Sequence, residues 1–243
     1  MTQSPKKSSL ALTLGGIALM LAGAVAGWQF ERMRGAGGDI GPKVREYLLE
    51  NPEVLPEAME RLRQKETGKQ LAAVGDKLFV EFPGAVLGNP QGKVTLVEFT
   101  DFACTFCRAS VGEVEALIRD NPDLKVVVRE LPILSPKSAD AARWALAAAE
   151  QGKYPDFHKA MFAAGKPDDA TIEAAARVAG LDLDRARRFI ANPRVDGELR
   201  ANVGLAQQLG FDGTPAWVVG DQALSGAVGR EALAKAIAKA RES

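Results

Sequence analysis

The sequence predicts an α/β fold: a β-helix-β unit, a block of helices, then a β-hairpin and a closing helix. Three observations predict it. Two strand-like runs, Val94-Thr-Leu-Val-Glu-Phe-Thr100 and Leu124-Lys-Val-Val-Val-Arg-Glu130, flank a stretch with helical spacing. From Ser135 to Gly210 the apolar periodicity is helical, and strand residues return at Ala216-Trp-Val-Val219. The chain's only two cysteines, Cys104 and Cys107, stand where the first strand meets the first helix. The 243 residues are 47% hydrophobic, enough for a real core, and the formal net charge of +0 gives no reason to expect nucleic acid as a partner.

The elements follow in order. Lys6 and Lys7 precede an uncharged run from Ser8 to Phe30. A bilayer takes about 20 residues, so the run is long enough to span one. It also has the basic start, apolar middle and small-residue end of a secretory signal, with Ala22-Gly23-Ala24 and Ala24-Val25-Ala26 as cleavage candidates. Residues 1–34 therefore read as a single-span anchor or a cleaved signal. Either takes the bulk of the chain out of the cytoplasm. Arg34-Gly-Ala-Gly-Gly38 is a joint. In the next region, 35–77, Asp39 opens a helix with Ile40, Val44, Tyr47 and Leu48 on one stripe, interrupted at Asn51-Pro52. Leu55, Ala58, Met59 and Leu62 restart the stripe. Two narrow stripes among many charges point to association between copies; the alternative is packing on the domain behind.

Residues 78–134 hold the β-helix-β unit. Leu87-Gly-Asn-Pro-Gln-Gly92 reads as a turn cluster, and Val94–Thr100 as the first clear strand. The helix Arg108–Arg119 carries Val111, Val114, Leu117 and Ile118 on one face and stops at Asn121-Pro122. In the helical block, 135–210, Ser138 caps Ala139–Gln151 and Tyr154–Ala164 carries His158. Asp168 or Asp169 caps Ala170–Ala179, and Asp182 caps Leu183–Ala191. Asn192-Pro193 stops that helix, and Arg194–Leu209 completes the block. In 211–243, Gly220-Asp221 turns a hairpin between Ala216–Val219 and Gln222–Ser225, and Ala232–Ala240 closes the chain.

Cysteines three apart on a helix lie about 5–6 Å from one another, within reach of a disulfide. Cys104 falls at the helix N-terminus, where unpaired N–H groups and the dipole stabilise a thiolate. A stabilised thiolate is both nucleophile and leaving group. A purely structural bridge is a poor alternative, because closing so short a loop removes little chain entropy. A structural zinc needs four ligands, and the chain has a single histidine, His158. A copper-type site of Cys104, Cys107 and His158 is conceivable on ligand softness. Otherwise His158 reads as a helix-packing residue. Glu98, between Val97 and Phe99, is an acid in an apolar strand, either buried for a purpose or an edge residue reaching solvent.

Val-Glu-Phe-Thr-Asp-Phe-Ala-Cys-Thr-Phe-Cys (97–107), the helical insertion, Gly213-Thr214-Pro215-Ala216 and the closing hairpin and helix together resemble the thioredoxin superfamily, more closely the DsbA-like thiol–disulfide oxidoreductases. The resemblance covers roughly residues 78–241 and implies a thioredoxin-like fold with an inserted helical domain. Asp39–Glu66 resembles the N-terminal region of suppressor-of-copper-sensitivity-type members, some of which oligomerise through it. The resemblance implies Cys104 as the exchanging sulfur, Cys107 as the resolving one, and no cofactor beyond their redox-active disulfide. It implies a cis-proline loop at Thr214-Pro215 whose backbone pairs with substrate, and Glu98 as a proton relay to Cys107. Thr105 and Phe106 would touch substrate; the histidine that strongly oxidising members carry in this dipeptide is missing. The implied partners are reduced or misbridged exported proteins and a membrane redox protein, on the periplasmic side of a bacterial inner membrane. Oxidase, isomerase and reductase stay open, as does a copper-binding or copper-tolerance role for the same pair.

Overall fold

The computed structural model describes residues 20, 23–30 and 40–242. The Ser8–Phe30 run and the Arg34–Gly38 joint therefore fall largely or wholly outside the described residues. Residues 23–30 are helical, and among the described residues no helix is long and apolar enough to cross a membrane. The chain divides into two compact units, Met1–Glu60 and Arg61–Ser243. In the first, helix α1 (Ile40–Glu50) ends where the Asn51 amide donates to the Tyr47 carbonyl at 2.9 Å. Its stripe residues Ile40, Val44 and Tyr47 are exposed, as are Leu55 and Met59 beyond it. Helix α2 (Val54–Val74) runs well past the stripe's end at Leu62, because Leu71 and Val74 at its far end pack into the core of the second unit.

The second unit is built on a five-stranded sheet in the order β1-β3-β2-β4-β5. Strands β2 (Val94–Thr100) and β3 (Leu124–Glu130) are parallel, joined through α3 (Thr105–Asp120). Strands β4 (Ala216–Val219) and β5 (Gln222–Ser225) form the hairpin, and β4 lies antiparallel on β2. Gly220 turns that hairpin with φ +55°, a conformation glycine adopts without steric cost. Strand β1 (Val86–Gly88) corrects the reading of this stretch as turn alone. It pairs antiparallel with β3, Val86 opposite Val127, and then turns at Gly88 (φ +75°). Three residues are too few to show a strand period. The Asn89 side chain fixes the turn beyond, accepting from Gln91 N and donating to Pro122 O, each at 2.9 Å.

Side chains alternate across β2 and β3, and both sheet faces are buried. One face carries Leu96, Val126, Val128, Trp217 and Val219. It packs on α3, on α4 (Pro136–Glu150) and α5 (Tyr154–Ala164) of the helical block, and on the closing helix. The other face carries Val97, Phe99, Val127 and Val218 against Leu78, Leu205, Leu209 and Phe211, with Phe99 and Phe211 edge-to-face at 5.5 Å. Each large apolar side chain buried this way contributes about 1.5–3 kcal/mol.

The remaining helices are α6 (Asp169–Val178), α7 (Leu183–Ile190), α8 (Pro193–Gln208) and α9 (Arg230–Ala240). Two helix starts differ from the sequence reading. Ser135, rather than Ser138, caps α4: its Oγ accepts from Ser138 N at 3.0 Å, and Pro136 takes the first turn, where a missing N–H costs nothing. Asn192-Pro193 does more than stop α7; Asn192 Oδ1 accepts from Arg194 N, so the same pair opens α8. Asp168 is the residue that caps α6, through a reciprocal pair of bonds with Thr171.

Arg129 ties the second face together. Its guanidinium donates to Glu198 Oε1 and Asn202 Oδ1, each at 3.1 Å, and to the carbonyls of Lys77, Leu78 and Val80. Removing a buried cation from such a set strands its partners, at a cost of about 3–5 kcal/mol. Arg129→Met should therefore lower the urea unfolding midpoint by that equivalent while leaving the sheet's circular dichroism intact.

Candidate active site

The site hangs from the end of β2. There the chain leaves the sheet through Asp101-Phe102-Ala103 and enters α3 at Cys104. Asp101 shapes this exit. Its Oδ1 accepts from Ala103 N at 2.8 Å, and its backbone carbonyl accepts from Cys104 N at 2.9 Å. Its Oδ2 accepts from Ile133 N and Leu134 N, each at 2.9 Å, and so binds the loop after β3 to the loop after β2.

Cys104 is the N-cap of α3, with extended backbone (φ −79°, ψ 119°), and its Sγ accepts from Cys107 N at 3.4 Å. Sulfur thus takes the place a serine or aspartate oxygen holds in other caps. Both cysteines carry free thiols. Cys104 is the more exposed of the two cysteines, but only narrowly: 5% of its surface is exposed, against none of that of Cys107. The Thr214-Pro215 loop covers it: the thiol donates to the Thr214 carbonyl at 3.2 Å, and the peptide bond between Thr214 and Pro215 is cis. Sequence periodicity holds no record of a loop folding back from 110 residues away. Cys107, one turn on, is fully buried, and burial pushes its thiol well up from the ordinary range, with the nearby charge of Glu98 adding to the effect.

Glu98 sits mid-sheet, between Val128 of β3 and Trp217 of β4, and is 2% exposed. The edge-strand alternative does not hold. Burial raises its carboxyl pKa to about 8, and its Oε2 has no hydrogen-bond partner. It shares the sheet face of Leu96, the face on which Cys104 and Cys107 pack. Thr105 and Phe106 occupy the first turn of α3 facing out, Phe106 with 64% of its surface exposed. Ile133 and Leu134 are also exposed apolar residues.

His158 is buried on α5 in an aromatic cluster, its ring 4.9 Å from Phe162 and 5.9 Å from Phe102. Burial lowers its pKa to about 4. Among the described residues no group of three or more His, Cys, Asp or Glu side chains could hold a metal ion. A cleft of about 570 Å³, lined by Phe82, Arg129, Arg194 and Glu198 among others, includes neither cysteine. Two further groups escaped the sequence reading. Glu130, the last residue of β3, is buried, and the Tyr154 hydroxyl donates to its Oε1 at 2.7 Å. The alternation Val126-Val128-Glu130 was a usable signal, because it puts Glu130 on the same face as the cysteines.

Comparison with known proteins adds the following. Residues 95–238 match the DSBA-like thioredoxin domain, and residues 39–67 match the copper resistance protein ScsC N-terminal domain. A thioredoxin-like oxidoreductase from Silicibacter pomeroyi DSS-3 is 42% identical, with a TM-score of 0.66, covering 69% of this chain and 98% of that one. The thiol-disulfide exchange protein alpha-DsbA2 from Wolbachia pipientis is 28% identical (TM-score 0.68; 73% and 97% covered). A linker-deletion mutant of Proteus mirabilis ScsC is 27% identical (TM-score 0.67; 84% and 94% covered). Among curated proteins, the Na(+)/H(+) antiporter NhaA 3 of Salinispora tropica is 34% identical over 160 residues, which is 64% of this chain and 24% of that protein. The chain thus spans about a quarter of the length of the curated relatives it matches. With a thioredoxin-like α/β sheet, a matching domain over more than half its length and an ScsC-type segment before it, this chain belongs to the DsbA-like thioredoxin family.

Proposed function

We propose that this protein is an exported thiol–disulfide oxidoreductase that exchanges disulfides with protein substrates through Cys104 and Cys107. The observation that carries the reading is the pair itself: one sulfur caps the helix and touches the Thr214 carbonyl, and the other is sealed beneath it. In the oxidised enzyme a substrate thiolate attacks Cys104 Sγ. The Cys104–Cys107 bond breaks, and Cys107 leaves with the electron pair and takes up a proton. A second substrate thiolate then attacks the substrate sulfur and expels Cys104 as a thiolate, leaving a substrate disulfide and the reduced pair; attack by Cys107 on Cys104 instead reverses the first step and releases the substrate thiol. Glu98 is the proton donor and acceptor for Cys107, being buried on the same face without a countercharge. The Thr214 backbone, followed by a residue with no N–H, offers its edge to an extended substrate segment. Thr105 and Phe106 flank that segment, with Phe106 supplying apolar contact.

The similar Wolbachia pipientis protein is a thiol-disulfide exchange protein, and a similar thioredoxin-like protein of Salmonella enterica is periplasmic. By the same reading, residues 1–34 export this chain, as anchor or cleaved signal, and a membrane redox protein recharges the dithiol. The exposed apolar stripes of α1 and early α2 join copies of the chain, which favours reshuffling of misbridged proteins over simple oxidation. The ScsC-type segment also supports a second reading, in which the two soft sulfurs hold Cu(I). Tight, stoichiometric Cu(I) binding by a protein inert toward disulfides would favour it.

Cys104→Ser should reduce disulfide exchange to background. Cys107→Ser should instead accumulate mixed disulfides, visible on non-reducing gels, and the reverse pattern would swap the two roles.

A fragment from Asp39 to Ser243 should be an oligomer by light scattering, and deletion of Asp39–Glu66 should give a folded, active monomer. A monomeric longer fragment would remove the case for assembly.

Thr105-Phe106 brings no cation to the Cys104 thiolate. Phe106→His should therefore stabilise the reduced form and raise the potential against glutathione by about 30 mV or more, equivalent to about 1.4 kcal/mol.

A further inference from the structure

The exchange chemistry proposed above leaves Glu130 unused. In the parallel register Thr100 faces Glu130 and Glu98 faces Val128, so the two glutamates are diagonal neighbours on one sheet face. Both are buried, and each has one carboxyl oxygen, Oε2, with no hydrogen-bond partner. No lysine or arginine among the described residues is paired with either. Arg129, next to Glu130 in sequence, points to the opposite face and bonds Glu198, Asn202 and three carbonyls. The titratable groups on the pair's own side are Asp101 after β2, Cys104 and Cys107 at the start of α3, and Tyr154 on α5. His158, 5.8 Å from the Tyr154 ring, is kept neutral by burial.

We propose that Glu130 is a positioning residue that stores a second proton beneath the dithiol and returns it to Glu98 after Glu98 has protonated Cys107. The inference rests on the exchange reading of Cys104 and Cys107. Two buried carboxyls on one sheet face each resist ionisation, chiefly through burial, and the charge of Glu98 adds to that resistance at Glu130, so protons stay on the pair above the ordinary carboxylate range. Tyr154 occupies Oε1 of Glu130, which leaves the unpartnered Oε2 to carry that proton. The unpartnered oxygen of Glu98 lies on the same face to receive it. Burial and the charges of Asp101 and Glu98 all push the Glu130 carboxyl up, with only the Tyr154 bond opposing them.

The step balances as follows. A substrate thiolate bonds to Cys104 Sγ, the Cys104–Cys107 bond breaks, and the Cys107 thiolate takes the proton of Glu98. The charge left on Glu98 passes to Glu130 as the proton moves between the two Oε2 atoms. Nothing is oxidised or reduced beyond the three sulfurs.

The test is the rate at which dithiothreitol reduces the Cys104–Cys107 disulfide of the whole chain, corrected for thiolate concentration and followed from pH 6 to 10. A pair that holds a reserve proton keeps its rate to higher pH than Glu98 alone. Without that reserve the rate should fall as the Glu98 carboxyl itself ionises. Glu130→Gln should therefore move the alkaline limb down by about one pH unit or more, with the rate at pH 6 unchanged within about twofold. Glu130→Asp, which withdraws the carboxyl by one methylene, should move the limb the same way by less, and it stands in if the glutamine variant fails to fold. In a Glu98→Gln background, which is slow at every pH, Glu130→Gln should add nothing. An alkaline limb unmoved by either Glu130 variant would overturn the inference while leaving the exchange reading intact. A wild-type disulfide inert to dithiothreitol would instead strike the exchange reading itself, and this inference with it.

Discussion

The functional half of the molecule depends on the fixed end of one strand. β2 is hydrogen-bonded on both sides, parallel to β3 and antiparallel to β4, and its side chains are buried on both faces. A strand held in that way cannot slide or rotate, because a one-residue slip would exchange its two sets of side chains between the cores. Its last residues are therefore placed to within the tolerance of the sheet. The Asp101 carboxylate then transmits that placement. By binding the N–H groups of Ala103, Ile133 and Leu134, it makes the loops after β2 and β3 one body. The cap of α3, and the sulfur that forms it, inherit their position from these bonds.

Polar groups buried in this sheet are of two kinds. Arg129 has its terminal nitrogens matched to two side chains and three carbonyls, and it joins β3 to α8 and to the segment before β1. Its role is architectural. Glu98 and Glu130 lie on the other face and are underbonded, each with an idle oxygen. A protein selected only for stability would have matched those oxygens or replaced the residues with apolar ones of similar size. Here the unmatched pair lies on the face against which the dithiol packs.

The parts of this architecture set by local pattern were legible from the sequence. Val94–Thr100, Leu124–Glu130 and the hairpin announced themselves by β-branched and aromatic runs, and the cysteine pair by its place between strand and helix. What the sequence hid was set by distant contacts or by short pieces. Strand β1 is three residues beside a turn. The extension of α2 to Val74 comes from packing of Leu71 and Val74, which the charged stripe before them conceals. Glu98 could be read as a buried acid or a solvent-facing one, and only its two neighbouring strands decide between these. The cover on Cys104 was legible only through the resemblance, which implied the Thr214-Pro215 loop; no local pattern near Cys104 records a contact with Thr214.

That cover has a consequence for the targets of such an enzyme. The sulfur of Cys104 is almost wholly buried and bonded to the Thr214 carbonyl, while Phe106, Ile133 and Leu134 are exposed. In the exchange proposed above, a partner sulfur has to meet a buried atom, and a cysteine on a loose segment can do so without breaking packing of its own. Such a site would select chains by their state of folding rather than by their residue order. A client would be serviced while its cysteines are still on loose segments and turned away once they are packed, with no recognition sequence needed to tell finished proteins from unfinished ones.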